Sequence, residues 1–343
     1  MFKKSFLVPL LIVLLGGMTT AFCEEPTKPI ELRFSDFNPP NSGIAQITQK
    51  MADRMVANSK GRLKITYYPG ESLLKMGETF RGVQSGVADI SFSSTTMMGT
   101  PLYLNRVTTL PFLGITSMEM ATAVHEKLFS QFPEVRAEYQ GLKVLGFRGN
   151  PLSHGHFMKK EVRLPSDMKG MKIIAMQQWG DVIRNAGGSP VPLGIGDWYM
   201  SLERGLVEGH ITHFPVFYIF KLLDLVKYHA MFGGGGNTLI DCFIINLDTW
   251  NRLPADLQKA IEDAIHWRTT EITKFDYGEE KKAIDYAKSK NHTFTYLTPE
   301  EIKLWEDVAK AAHEEWIKTA NAKGLPGSKI YEGVKQIIKE YSK

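Results

Sequence analysis

Two cysteines stand among the 343 residues. That is too few for a disulfide-stapled scaffold or a cysteine-rich zinc module. Neither sign of charge dominates: 41 Lys and Arg face 37 Asp and Glu, a formal net charge of +4. The basic residues are interleaved with acids and form no stripe of the kind that tracks a phosphate backbone, so no nucleic-acid partner is expected. Beyond the N-terminus, no run reaches the roughly 18 apolar residues of a membrane helix, and the mature chain is not expected to insert in a membrane. G-x-S-x-G, P-loop and H-E-x-x-H patterns are absent, which leaves no readable catalytic motif and no enzyme expected. The glycine run Gly233 to Gly236 precedes a strand and lacks the G-x-G-x-x-G register, so no dinucleotide and no other cofactor is expected. There is no internal repeat and no low-complexity segment.

What is present is ordinary globular composition, 43% hydrophobic and 23% charged. At roughly 150 residues per domain the length suggests two domains with sizeable cores. Residues 1–23 read as a secretory signal peptide. Lys3 and Lys4 form a basic start, Phe6 to Leu15 an apolar core, and Gly16, Gly17, Thr19, Thr20 and Ala21 a relaxed end. The apolar core is too short for a membrane anchor. Cleavage after Cys23 places Ala21 and Cys23 at the two small-residue positions and leaves Cys242 as the single cysteine. Lipidation at Cys23 is the alternative, and the bulky Phe22 argues against it. The mature chain is expected to be soluble and exported.

Along the mature chain, Ile30 to Asp36 alternates like a strand, and Ile44 to Ala57 has apolar residues at helical spacing. Leu63 to Tyr68 and Ile90 to Ser93 are further strands, with a helix between them near Met76 to Gln84. This β-α-β-α-β order predicts an α/β fold with a parallel sheet. Met118 to Phe132 reads as a helix and Lys143 to Phe147 as a strand. Arg148-Gly-Asn-Pro-Leu152 is a candidate crossing between domains. His154 to Met158 and Lys172 to Met176 read as strands, and Trp179 to Ala186, Asp197 to Arg204 and Phe217 to Val226 as helices. Gly233 to Gly236 reads as a flexible break before a strand at Phe243 to Leu247. Pro254 opens a helical pattern running to about Ser289, unusually long for a compact domain. Thr298 caps a further helix, with Glu301 completing a capping box and Pro299 at the first helical position.

Histidines and aromatics gather in the middle of the chain. His154 and His156 lie on one face of a strand, because strand side chains alternate. His210 and His213 sit in a turn-like segment. Four such imidazoles are open to three readings: solvated or hydrogen-bonded histidines, ligand contact through neutral imidazole, or a metal site. Trp179, Trp198, Tyr199, Phe214, Phe217, Tyr218 and Phe220 are mostly core candidates. Trp179 follows Gln177 and Gln178 just after a strand, where open α/β sheets bind ligands.

Several segments, in order and over nearly all of residues 30–270, resemble one family. Ser166-Asp-Met-Lys-Gly-Met-Lys-Ile173 resembles the "eDlkGlKiR" segment of the extracytoplasmic solute receptors of TRAP transporters, the DctP type. Val191 to Leu202 is similar to "pvpmpfsEvYtAL", and Gly205-Leu-Val-Glu-Gly209 to "GvVDG". Tyr68-Pro-Gly-Glu-Ser-Leu73, Gln84-Ser-Gly-Val-Ala-Asp89, Leu110-Pro-Phe112 and Leu253 to Ala260 match as well. The resemblance implies a two-lobed α/β fold of the periplasmic-binding-protein type, with mixed sheets and a long helix spanning both lobes. It implies a periplasmic, monomeric receptor that closes on a small organic solute, an organic acid by family default, and delivers it to a sodium-coupled membrane permease. Domain I is then expected over 24–148 plus about 237–272, and domain II over about 149–236 plus 273–310. A C-terminal helical segment, 311–343, is expected to pack on the lobes.

The departures bear on the ligand. Most members hold a substrate carboxylate with an Arg that ends the "GlKiR" strand, where a charge-assisted fork suits the task. Here that position is Ile174. The second Arg of some members, 20 residues earlier, is His154, and the usual Asn after the "DG" motif is Thr212. Arg148, Lys159 or Lys160 are candidates for a substitute charge, and His154, His156 and His210 for neutral hydrogen bonds. Gln177, Gln178 and Trp179 are expected to line the same wall, with the ligand turning an apolar face to Ile174 and Trp179. Phe37, Asn38, Ser94, Thr95 and Asp241 complete the expected lining. The alternatives are a sulfonate such as isethionate, a weakly charged solute, a metal held by His154, His156, His210 and His213, or an exported enzyme.

Overall fold

The computed structural model describes residues 28–96, 101–175 and 177–341. The signal segment and Cys23 lie outside the described residues. In chain order, β1 (Ile30–Ser35), α1 (Gly43–Asn58), β2 (Leu63–Tyr68), α2 (Thr79–Gln84) and β3 (Ile90–Ser94) reproduce the expected β-α-β-α-β run. Next come α3 (Met118–Gln131), α4 (Pro133–Ala137), β4 (Leu142–Gly149), β5 (His154–Phe157), β6 (Lys172–Ile174), α5 (Gln177–Asn185) and β7 (Ser189–Val191). The chain goes on through α6 (Trp198–Glu203), β8 (Gly209–Thr212), α7 (Phe214–Ile219), β9 (Tyr228–Met231), β10 (Ile240–Asn246) and α8 (Leu247–Arg252). It closes with α9 (Ala255–Ser289), β11 (Thr293–Tyr296), α10 (Pro299–Ala322) and α11 (Gly327–Tyr341).

The strands form two sheets. The first has the order β2-β1-β3-β10-β4. Its first three strands are parallel, as expected, but β10 runs antiparallel to both β3 and β4. The second has the order β11-β9-β5-β8-β6-β7 and is also mixed. The chain leaves the first sheet after β4 and returns to it at β10. It crosses again along α9, whose 35 residues span about 52 Å at 1.5 Å per residue. That reach lets α9 pack on α1 beside the first sheet and on α7 beside the second.

Each sheet is buried on both faces. On the first, Leu32, Phe34, Ile90, Phe92 and Phe243 meet Met51 and Met55 of α1 and Ile261 and Ile265 of α9. Its other face, with Cys242 and Ile244, packs under α3 and α11. On the second sheet, Phe157, Ile173, Ile211 and Ala230 meet Trp179, Val182 and Ile183 of α5 and Trp305 of α10. Its other face carries Ile174 against Leu202, Phe214, Phe217 and the α9 residues Ala283 and Ala287. Local signals start the helices where they stand: Ser42 and Ser117 accept from the backbone N–H of Ala45 and Met120, and Thr298 and Glu301 close the expected capping box.

Three local expectations are corrected. His210 to Thr212 is strand β8, not a turn, because β5 and β6 pair with it on either side. The helix expected over Phe217 to Val226 is instead an α-helix at Phe214–Ile219 and a 3-10 turn at Leu223–Leu225, broken at Lys221 by a left-handed φ of 57°. Gly233 to Gly236 is no loose break. A Cβ on Gly235 would lie 2.2 Å from the Phe112 ring, and one on Gly236 2.2 Å from the Ser153 carbonyl oxygen. Phe112 itself has φ 58°, an unusual conformation for a bulky residue. Its N–H donates to Gly235 O at 2.9 Å, and its ring packs with Trp179, Phe232 and Trp305. Helix α10 runs unbroken from its capping box to Ala322.

Two glycines, one in this run and one in α9, are therefore expected to respond oppositely to alanine. Gly236→Ala is expected to destabilise by about 1–3 kcal/mol, since its Cβ meets backbone that cannot yield. Gly278→Ala, in the exposed middle of α9 with nothing within 4 Å of the new Cβ, is expected to stabilise by about 0.5–1 kcal/mol. Urea denaturation of both variants checks this, and a neutral Gly236→Ala contradicts it.

Candidate functional site

The polar residues of the first sheet collect at one edge, where β1, β3 and β4 end and β10 begins. Cross-strand register makes Asp241 the neighbour of both Ser94 and Arg148. One pleat further in on the same face, Phe243 lies opposite Phe92. Asp36, Phe37 and Asn38 follow β1 there, and the Phe37 ring packs on Phe92 at 5.2 Å. Asp36 is fully committed: its carboxylate accepts from the backbone and side-chain N–H groups of Asn38, at 2.9 and 2.7 Å, and from Tyr67 O–H at 2.7 Å. Thr95 is buried, and its hydroxyl has no partner among the described residues.

Arg148 is buried and held by three groups. It pairs with Asp276 of α9, donates to Asn150 Oδ1 at 2.7 Å, and reaches Asp241 at 3.5 Å. Burial raises the Asp241 and Asp276 carboxyls, and the Arg148 charge opposes this in both. Both Nη groups of Arg148 are thus already engaged, which corrects the expectation of a spare charge. Lys159 and Lys160 are corrected as well. They follow the far end of β5, are exposed, and Lys160 donates to the Asp167 carbonyl at 2.6 Å.

In the second sheet one row of side chains crosses five strands on a single face. Register aligns Phe294 with His229, His229 with His156, His156 with His210, and His210 with Ile174. His154 stands beside Thr212 on the same face. His156 stacks on Phe217 at 4.2 Å, and His210 lies edge-on to Trp198 at 4.3 Å. His156 Nε2 can only donate to the Thr212 carbonyl, at 3.1 Å. In neutral rings this fixes the rest of the chain. His229 Nδ1 donates to His156 Nδ1 at 2.8 Å, and His292 Nδ1 to His229 Nε2 at 3.0 Å. Burial lowers His154 and His213 to about 4 and His210 and His229 to about 3, and pushes His156 well below its usual value. The Arg148 charge adds to the lowering of His213, so the edges of the two sheets meet there. His154, His210 and His213 each keep a buried Nδ1 without a partner among the described residues. The described residues contain no group of three or more His, Cys, Asp or Glu side chains arranged to hold a metal ion.

Two expected wall residues are placed in the core instead. Trp179 is 1% exposed. Its indole stacks with Phe232 at 5.0 Å, and its N–H donates to Asn237 Oδ1 at 2.7 Å. Asn237 in turn donates to the Thr109 carbonyl at 3.0 Å. A large ring on the apolar side of an amphipathic helix is drawn into the core, so Trp179 ties the crossing segments together rather than offering a face to a solute. Ile174 is 2% exposed among Leu202, Phe214 and Phe217, so an arginine there would be buried in apolar packing. Gln178 is half-buried, and its Oε1 has no partner among the described residues; the Gln177 side chain lies outside what is described. Sequence reasoning passed over Arg268, Asp276, Asp36, His229 and His292. For Arg268 and Asp276 a signal existed: both continue the buried stripe of α9 that holds Leu257, Ile261, Ala264 and Ile272.

Two mixed sheets joined by two crossings and a spanning helix, with buried polar groups where their edges meet, define a bilobal solute-binding protein. The chain belongs to the DctP family, bacterial extracellular solute-binding protein family 7, whose profile matches residues 34–319. It is 25% identical over 308 residues to the C4-dicarboxylate-binding periplasmic protein DctP of Rhodobacter capsulatus, covering 88% of this chain and 91% of that protein. A TRAP solute-binding protein from a marine metagenome, specific for aromatic acid ligands and solved with 3-hydroxybenzoate, superposes with a TM-score of 0.81. It is 21% identical and covers 92% of this chain and 100% of its own. One from Rhodoferax ferrireducens, solved with copurified benzoate, gives a TM-score of 0.79 at 20% identity, covering 91% and 98%. The family is one of extracytoplasmic receptors for TRAP permeases, and no helix among the described residues is long and apolar enough to cross a membrane.

The buried histidines make stability depend on pH with a definite sign. Their folded values lie below the ordinary 6.5, so the unfolded chain takes up protons first as pH falls. Their stabilisation is full above about 6.5 and is lost as pH drops from there towards about 3, at about 1.4 kcal/mol per pH unit for each histidine. The urea midpoint is expected to fall between pH 7 and pH 5, with a shallower fall in His210→Phe. A midpoint that stays level contradicts the burial of neutral imidazoles.

Proposed function

We propose that this chain is an exported, monomeric, non-catalytic periplasmic receptor that captures a small monocarboxylic acid with an apolar body and hands it to a TRAP permease. Export rests on the signal-like residues 1–23. The lobes close about crossings near residues 148–150 and 235–237, with domain I over 24–148 plus about 237–272 and domain II over about 149–236 plus 273–310. The solute lies between Phe37, Asn38, Ser94, Thr95 and Asp241 on one side and His154, His210 and Thr212 on the other.

The observation that carries the monocarboxylate reading is the distribution of buried cations. Among the described residues the buried ones are Arg148 and Arg268, and neither is on the second sheet. There, the position that the family resemblance gives to a guanidinium is the core residue Ile174, and the polar groups in its row are neutral imidazoles beside phenyl rings. A carboxylate pressed against that surface would lose its water without replacement, at several kcal/mol. One acidic group can be met from the first lobe, and the rest of the solute then faces rings. The aromatic acids bound by the two structural relatives described above fit that division.

Ligand that binds only the closed, folded form stabilises it by about 2.7 kcal/mol at a concentration 100 times Kd. Benzoate, 3-hydroxybenzoate or mandelate is expected to raise the melting temperature by several degrees, and succinate and glucuronate by less. A screen in which no carboxylate shifts the transition overturns the acid-receptor reading, and a larger shift with succinate overturns the single-carboxylate part of it.

A further inference from the structure

Five charged side chains are buried near the meeting edge: Asp36, Arg148, Asp241, Arg268 and Asp276. Four have partners, with only the Nε of Arg148 left without one among the described residues. Asp36 is held by Asn38 and Tyr67, and Arg148 joins Asp241 and Asp276. Arg268 is different. It is 1% exposed, its Nε donates to Thr48 Oγ1 at 2.8 Å, and no carboxylate among the described residues lies within ion-pair distance. Nη1 and Nη2 have no hydrogen-bond partner among the described residues. The guanidinium is held over two rings, Phe92 and Phe243, each at 4.7 Å from its carbon to the centroid. Those rings lie one pleat in from the row of Ser94, Asp241 and Arg148. Asp276, two turns further along the same helix, already reaches that row.

A buried guanidinium with two idle donors is costly, and natural structures retain one where something meets it. Burial lowers it to about 10, with the Asp36 charge opposing the shift, so it stays protonated at neutral pH. Two parallel N–H donors in one plane match a carboxylate. Contact with two tilted rings and the Nε bond to Thr48 restrict the guanidinium, so little freedom remains to be lost on binding.

Resting on the organic-acid reading, we propose that Arg268, on the spanning helix, is the residue that holds the solute's carboxylate. The anion is received in the first lobe, from beneath Phe37 and Ser94, and the second lobe closes over the uncharged end. The clamp has thus changed lobes relative to the receptors that carry an arginine at the position of Ile174. Since neither Nη group is open to solvent in this form, the carboxylate enters while the lobes are apart.

The test measures benzoate binding by calorimetry, and the melting temperature without ligand, for wild type, Arg268→Met and Arg268→Lys. Methionine fills a similar slot without charge, so the ligand-free Arg268→Met protein is expected to melt at or above the wild-type temperature. Its affinity for benzoate is expected to fall at least about 30-fold, the loss of a charge-assisted fork. Arg268→Lys keeps the charge but not the fork, and about a tenfold loss is expected. It also serves if Arg268→Met fails to fold. Either variant binding benzoate within threefold of wild type overturns the assignment while leaving the acid-receptor reading intact. Should wild type take up no benzoate, the same comparison is made with mandelate. Wild type that binds no carboxylate in the earlier screen overturns the reading and this assignment with it.

Discussion

The ion pair between Arg148 and Asp276 fixes how the long helix lies on the first sheet, and much else follows from it. Arg148 ends β4 at the first crossing, while Asp276 is carried by α9. Taking two charges out of water is expensive, and the arrangement persists because Asn150 and Asp241 engage the other Nη group of the guanidinium. Removing one partner of such a pair generally costs about 3–5 kcal/mol. With α9 held there, its next stripe residue back, Ile272, is buried, and the one before, Arg268, falls over Phe92 and Phe243. One charged contact thereby sets the position of a second charge that has no ion-pair partner among the described residues.

The second sheet solves the opposite problem. It buries a row of polar rings without burying any cation. Neutral imidazoles make this feasible, since each offers one donor and one acceptor and can pass the pattern along, as His292, His229 and His156 do up to the Thr212 carbonyl. Phe214, Phe217 and Phe294 fill the space between them. The two sides of the seam therefore differ in character: charged and paired on the first sheet, neutral and aromatic on the second. A solute held between them would be read by its polarity from end to end.

The crossings show how local pattern and tertiary demand interlock. Phe112 accepts a left-handed backbone because its ring completes the cluster of Trp179, Phe232 and Trp305, and the Gly235 carbonyl accepts its N–H. Glycine at 235 and 236 is then a consequence of close approach, not of looseness. The pattern Gly-Gly-Gly-Gly reads as flexible because sequence carries no trace of what stands opposite it.

Much of the fold was readable because its causes are local. The alternation of Ile30 to Asp36, the spacing of Ile44, Ile47, Met51 and Met55, and the box at Thr298 and Glu301 each specify an element from within a few residues. The unbroken helical pattern after Pro254 predicted a strut longer than one lobe needs, and α9 ends at Ser289 as expected. Ordered motifs over residues 30–270 were enough to recognise the family, and the isoleucine at 174 in place of arginine was plain from sequence alone. What sequence left undetermined depends on who faces whom. Strand β8 exists because β5 and β6 flank it, and β10 is antiparallel because the chain returns from the other sheet. Trp179 looked like a wall and became core, since a ring beside a strand end reads the same in either place until its neighbours are known. Arg148 reads as a spare charge in the sequence, but Asp276, 128 residues away, is bonded to it. In the sequence Arg268 is one more charge on a long helix. Only the packing of α9 against the sheet shows that its guanidinium is buried over two rings with its donors idle, because burial and pairing are properties of the assembled surface and of no single stretch of chain.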